Sequence, residues 1–83
     1  MGTVAVTFKI MPESLDVNVE EIKNEISKMR KIQDYNIETV AFGLKILRVL
    51  ILIPDQVGTE KIENEIKNVK GVSEVEVESS TLI

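Results

Sequence analysis

Apolar positions fall on every second residue at the start of the chain, where Val4, Val6, Phe8 and Ile10 alternate with Ala5, Thr7 and Lys9. Successive side chains of an extended backbone point to opposite faces, so the pattern predicts a half-buried strand over Thr3 to Met11. After Pro12-Glu13-Ser14 the period changes. Val19, Ile22, Ile26 and Met29 recur at three- and four-residue spacing, with Glu20 and Glu21 early and Lys28, Arg30 and Lys31 late. This predicts a helix with one apolar stripe toward a core and charges that complement its dipole. Tyr35, Ile37 and Thr39 then alternate with Asn36 and Glu38, which predicts a polar edge strand from about Asp34 to Ala41. Leu44 to Ile53 is apolar except for Lys45 and Arg48, as a strand paired on both sides requires, and Pro54 ends it. A second helix follows Gly58, with Thr59 as N-cap, Ile62, Ile66 and Val69 inward and Gly71 as terminator. Ser73 to Glu78 alternates again as a last strand.

An internal repeat organises these elements. Ile10-Met11-Pro12-Glu13 is echoed by Leu52-Ile53-Pro54-Asp55, and Glu20-Glu21-Ile22-Lys23-Asn24-Glu25-Ile26 by Glu60-Lys61-Ile62-Glu63-Asn64-Glu65-Ile66. Each half reads strand, proline turn, helix, strand. Two such halves give βαββαβ, and right-handed crossovers place both helices on one face of a four-stranded antiparallel sheet, an α+β ferredoxin-like sandwich. If Leu47, Val49, Ile51 and Ile53 face the helices, then Ile46, Arg48, Leu50 and Leu52 face outward beside Ala5, Thr7 and Lys9. Both sets are mostly apolar, so the assignment is reversible on sequence grounds, and the outward strip suits a partner or a second copy.

At 83 residues the chain supports one domain over residues 1–83. A domain of this size buries only roughly 60% of its unfolded surface, which leaves little protein for a second site. The absence of cysteine, histidine and tryptophan removes disulfides, thiol chemistry, ordinary zinc ligation and histidine acid–base catalysis. A net charge of −4 and a pI near 4.8 oppose direct binding to a phosphate backbone. No signal peptide is apparent, and Val49 to Ile53 is far shorter than the roughly 20 residues of a membrane span. A cytoplasmic protein with no membrane partner is expected. Met1-Gly2 invites a myristoylation reading, but Val6 stands where serine or threonine is needed.

Asp16, Asn18 and Glu20 offer oxygens at alternate positions, but Glu21 and Ser27 occupy the places where a calcium loop needs glycine and glutamate. A helix cap with first-turn acids explains them better. Glu74, Glu76 and Glu78 share one strand face and read as solvated rather than catalytic. Lys9, Lys45 and Arg48 form a candidate cationic cluster on the central strands, for charge balance or for a phosphate or protein contact. Phe42 beside Gly43 is either an exposed aromatic anchor or a phenylalanine closing the core at a hairpin, and residue chemistry leaves both open.

The run Ala41-Phe42-Gly43-Leu44-Lys45-Ile46-Leu47, followed by Asp55-Gln56-Val57-Gly58-Thr59-Glu60, resembles the guanine-exchange domain family of translation elongation factor 1-beta. The opening Val4-Ala5-Val6-Thr7-Phe8-Lys9-Ile10-Met11-Pro12 is similar to that family's first strand, and the likeness covers essentially the whole chain. Its length is similar to that of the archaeal members, which consist of this domain alone. The resemblance implies a ferredoxin-like fold, binding to elongation factor 1-alpha in GDP-bound and nucleotide-free forms, and GDP release without covalent chemistry. It also implies that an aromatic matching Phe42 enters an apolar pocket of that GTPase. A lysine next to the C-terminus disturbs the magnesium site in eukaryotic members, whereas this chain ends Ser80-Thr81-Leu82-Ile83. The partner-binding residues expected are Phe42, Gly43, Lys45, Leu82 and Ile83, with Lys9 and Arg48 as further candidates. No cofactor, metal ligand or catalytic residue is called for.

Other users of this fold plan fit less well. A small-molecule sensor of the ACT type has a glycine-bearing ligand loop where this chain has Pro12-Glu13-Ser14, and stands as the alternative reading together with a plain interaction domain. An acylphosphatase-like enzyme needs an arginine in that loop, and none precedes Arg30. An RNA-recognition module needs sheet-face aromatics beyond Phe8.

Overall fold

The computed structural model describes residues 2–83. Its elements run β1 (Thr3–Pro12), α1 (Val19–Met29), β2 (Ile32–Thr39), a short 3-10 turn (Ala41–Gly43), β3 (Lys45–Pro54), α2 (Thr59–Lys67) and β4 (Val72–Leu82). The strands form one sheet in the order β2-β3-β1-β4, every neighbouring pair antiparallel. This is the ferredoxin-like βαββαβ sandwich, with each strand–helix–strand half split by a strand of the other half.

The alternation of β1 decides what lies inside. Val6, Phe8 and Ile10 are fully buried, whereas Ala5, Thr7 and Lys9 on the other face are half-buried. The same parity runs across β3, where Leu47, Val49, Ile51 and Ile53 join the core with Val19, Ile22 and Ile26 of α1 and Ile62 and Ile66 of α2. Each such side chain contributes roughly 1.5–3 kcal/mol on leaving water, so this single layer between sheet and helices is the main source of stability. The face that sequence alone left reversible is therefore settled: Arg48, Leu50 and Leu52 point away from the helices.

Several local expectations are corrected. The polar edge strand begins at Ile32 and ends at Thr39, two residues before the expected limits, because the chain turns at Val40. The cap of α2 is Gly58 rather than Thr59, which is already helical, and no side chain caps that end. Met29, expected on the inward stripe, is 44% exposed because α1 ends there. The last strand continues well past Glu78 to Leu82, since β1 offers it a full-length partner. Asn18, by contrast, caps α1, its Oδ1 accepting the Glu20 N–H at 2.9 Å. This bond satisfies a free donor of the first turn and is the cap reading of that acidic stretch.

Candidate functional site

The β2–β3 connection is a tight turn. The Val40 N–H donates to the Leu44 carbonyl at 2.7 Å, and the Gly43 N–H donates to the Val40 carbonyl at 3.2 Å. Closing the chain this tightly demands left-handed backbone at the tip, and two successive residues supply it, Phe42 at φ 65° and Gly43 at φ 77°. Glycine adopts that conformation freely, whereas phenylalanine does so at a cost of about 1–2 kcal/mol. Phe42 is also 95% exposed. The other phenylalanine, Phe8, is completely buried. The structure thus decides between the two readings of Phe42: it closes no core, and its ring stands in water on a strained backbone.

Lys45 begins β3 next to this tip, on the helix side of the sheet, where it lines a cleft of about 320 Å³ with Gly43, Ile37, Pro12, Ser14 and Leu15. Strand alternation separates it from Arg48. The expected cationic cluster of Lys9, Lys45 and Arg48 is therefore divided between faces, with only Lys9 and Arg48 paired across the open one. Arg48 is committed there to structure, its guanidinium held by Glu38 of β2 and, at 3.0 Å, by Glu78 of β4. The two carboxylates, Glu38 foremost, raise its pKa still further above the ordinary arginine value. Glu78 lies at a register shift in the β1–β4 pairing, and Glu74 and Glu76 are exposed. Nothing in that arrangement forms the enclosed carboxylate pair that acid–base chemistry needs.

Leu82 and Ile83 lie at the other end of the sheet. Leu82 is paired with Val4 and the Ile83 N–H donates to the Thr3 carbonyl at 2.8 Å, while both side chains are about 70% exposed (69% and 71%). Strands β1 and β3 span ten residues each, so roughly 30 Å separates this end from the Phe42 tip, in a molecule 43 Å long. The five expected partner-binding residues therefore form two groups, Phe42, Gly43 and Lys45 at one end and Leu82 and Ile83 at the other. Leu15, 63% exposed at the Phe42 end, was not singled out by sequence reasoning. Its one signal in the sequence is that the loop carrying it is longer than the corresponding loop of the second repeat.

Among the described residues there is no group of three or more carboxylate, histidine or cysteine residues placed to hold a metal ion, and no helix is long and apolar enough to cross a membrane. Residues 5–83 match the family of EF-1 guanine nucleotide exchange domains. The chain is 45% identical to an elongation factor 1-beta of Staphylothermus marinus, over 95% of this chain and 94% of that one. It is 41% identical to an elongation factor 1-beta of Methanospirillum hungatei over the full length of both, and 40% identical to one of Methanosphaerula palustris over 99% of each. With a family match over nearly the whole chain and relatives at 40–45% identity over nearly their full length, the chain belongs to the EF-1 guanine nucleotide exchange domain family.

Proposed function

We propose that this protein promotes GDP release and GTP reloading on elongation factor 1-alpha during translation elongation, in the cytoplasm, through docking alone. The observation that carries the reading is Phe42, an almost fully exposed aromatic held at positive φ by a hydrogen-bonded turn. Folding gains nothing from such a residue, and binding gains a rigid apolar anchor that is already in position. Burial of its ring in a partner pocket contributes roughly 1.5–3 kcal/mol.

Exchange by this route makes and breaks no covalent bond. A thousandfold faster GDP release requires about 4 kcal/mol of preferential stabilisation of the release transition state. One phenylalanine falls short of that, so other contacts share the work. Lys45 stands beside the tip, and Leu82 and Ile83 extend the candidate surface to the far end of the sheet. Linkage adds a constraint: a protein that weakens GDP binding is itself bound more weakly by the GDP-loaded GTPase, and most tightly by the empty one.

The test is release of a fluorescent GDP from the cognate elongation factor 1-alpha under excess unlabelled nucleotide, with and without this protein. Acceleration at substoichiometric amounts is expected. Unchanged release would reduce the protein to a binding domain and bring the small-molecule-sensing alternative forward.

A further inference from the structure

The internal repeat supplies a comparison within one chain. Between Pro12 of β1 and Val19 of α1 lie six residues, 13–18, whereas between Pro54 of β3 and Thr59 of α2 lie four, 55–58. Both loops make the same structural contacts. The first N–H after the proline is anchored across the sheet end, Glu13 to the Gly71 carbonyl at 2.9 Å and Asp55 to the Gly2 carbonyl at 3.0 Å. Each loop then places a valine, Val17 or Val57, half-buried against the core just before the helix cap. In each, the N–H of that valine closes a turn, onto the Ser14 carbonyl at 3.3 Å and the Pro54 carbonyl at 2.9 Å. Four residues therefore suffice to join strand to helix in this architecture.

The longer loop holds Leu15, whose side chain is 63% exposed. The loop around it is pinned. The Ser14 Oγ accepts the Asp16 N–H at 3.3 Å, and Val17 packs so closely on Gly71 that a Cβ there would lie 2.9 Å from its Cγ1. Leu15 is thus presented to solvent by a fixed turn, at the same end of the sheet as Phe42. The cleft of about 320 Å³ between the two loops is lined by Leu15 on one side and by Gly43 and Lys45 on the other. A single exposed leucine needs no explanation, but one carried by two residues that the fold does not need, beside a second exposed apolar side chain, does.

We propose that Leu15 is a second apolar anchor for the GTPase partner, and that the cleft between its loop and the Phe42 turn receives a segment of that partner. The inference rests on the exchange-factor reading above. Its occupant follows from continuity, because the cleft is lined by Gly43, the neighbour of Phe42, and by Leu15, so a partner that covers Phe42 meets the adjoining cleft at the same end of the sheet.

The test measures GDP release and affinity for the nucleotide-free GTPase with the unaltered protein, Leu15→Ser and Leu15→Met. Leu15→Ser weakens binding about tenfold, the loss that goes with leaving a leucine-sized apolar surface unburied, at an unchanged thermal midpoint. Leu15→Met retains most of the affinity, since it keeps the apolar volume. If the unaltered protein accelerates release and Leu15→Ser matches it, Leu15 is no anchor while the function stands. No acceleration by the unaltered protein removes both. A lowered midpoint for Leu15→Ser assigns the residue to folding, and a dimer in solution that Leu15→Ser dissociates at unchanged exchange assigns the surface to a second copy; either result overturns the inference.

Discussion

The Phe42 end and the C-terminal end of the sheet both expose large apolar side chains, yet they hold them by different means. Leu82 and Ile83 belong to a strand, and their backbone pairs with Val4 and Thr3. Their exposure follows from finishing the sheet, so it does not by itself mark a binding surface. Phe42 sits in a turn, on a backbone that most residues avoid, and Leu15 sits in a loop longer than its counterpart. No core contact explains either. The difference teaches where exposure is informative: a side chain that is exposed while its backbone completes a ladder has a structural account, and one exposed without such an account, as Phe42 is on its strained backbone, is the stronger candidate for a binding surface.

Phe42→Gly is the largest break of this comparison. It relieves about 1–2 kcal/mol of left-handed strain, partly offset by about 0.4–1 kcal/mol from the greater freedom of glycine in the unfolded chain. Calorimetry should show a midpoint equal to or a few degrees above the unaltered protein, while stopped-flow GDP release slows about 10- to 100-fold through loss of the ring. A destabilised variant would return Phe42 to the core. Removal of Leu82 and Ile83 probes the opposite end. One backbone hydrogen bond and the end of the β1–β4 ladder are lost, a destabilisation of about 1 kcal/mol, and exchange measured well below the midpoint should fall several-fold. A lowered midpoint with full exchange activity would make that end purely structural.

Lys45→Ala sharpens the picture at the Phe42 end. An exposed charge of this kind contributes about 0.2–1 kcal/mol, so exchange should slow modestly, by a factor of about 1.4 to 5, with no change in melting. Unaltered kinetics would remove Lys45 from the surface.

A control lies between the two ends, where Arg30 is bonded to Glu65 of α2 by two hydrogen bonds of 3.2 Å. The Arg30 hydrogen bonds, more than its charge alone, lower the Glu65 pKa below the ordinary 4.5. A carboxylate with a depressed folded-state pKa adds stability above its unfolded pKa and loses it as pH falls through the folded value. Denaturation of the unaltered protein should therefore show a small loss on acidification below about pH 4.5 that is reduced in Glu65→Gln, with exchange at neutral pH the same for both. A slowed exchange would extend the binding surface to the helix layer.

Much of this molecule is legible in its residues. The switch from period two after Pro12 to helical spacing at Val19, and its recurrence after Pro54, specify the order of elements, because side-chain direction along a strand or helix is a local property of the backbone. The candidate site was legible only in part. Phe42-Gly43 stood out as an aromatic beside a permissive glycine, but its exposure depends on what the rest of the chain covers, and Phe8 shows the same residue type fully inside. Leu15 carries no local signal at all. It becomes visible once residues 13–18 and 55–58 are superposed as equivalent connections.

By itself the sequence determined the βαββαβ plan, the apolar stripes of α1 and α2, the polar edge of β2 and the family to which the chain belongs. Tertiary structure alone decided which apolar face of β3 met the helices, that Glu38 and Glu78 of two different strands close on Arg48, and that the expected partner-binding residues stand in two groups roughly 30 Å apart. The reason is physical. Periodicity and turn chemistry act over a few residues and are written along the chain, whereas burial, exposure and the grouping of distant side chains arise only when strand register brings remote segments together.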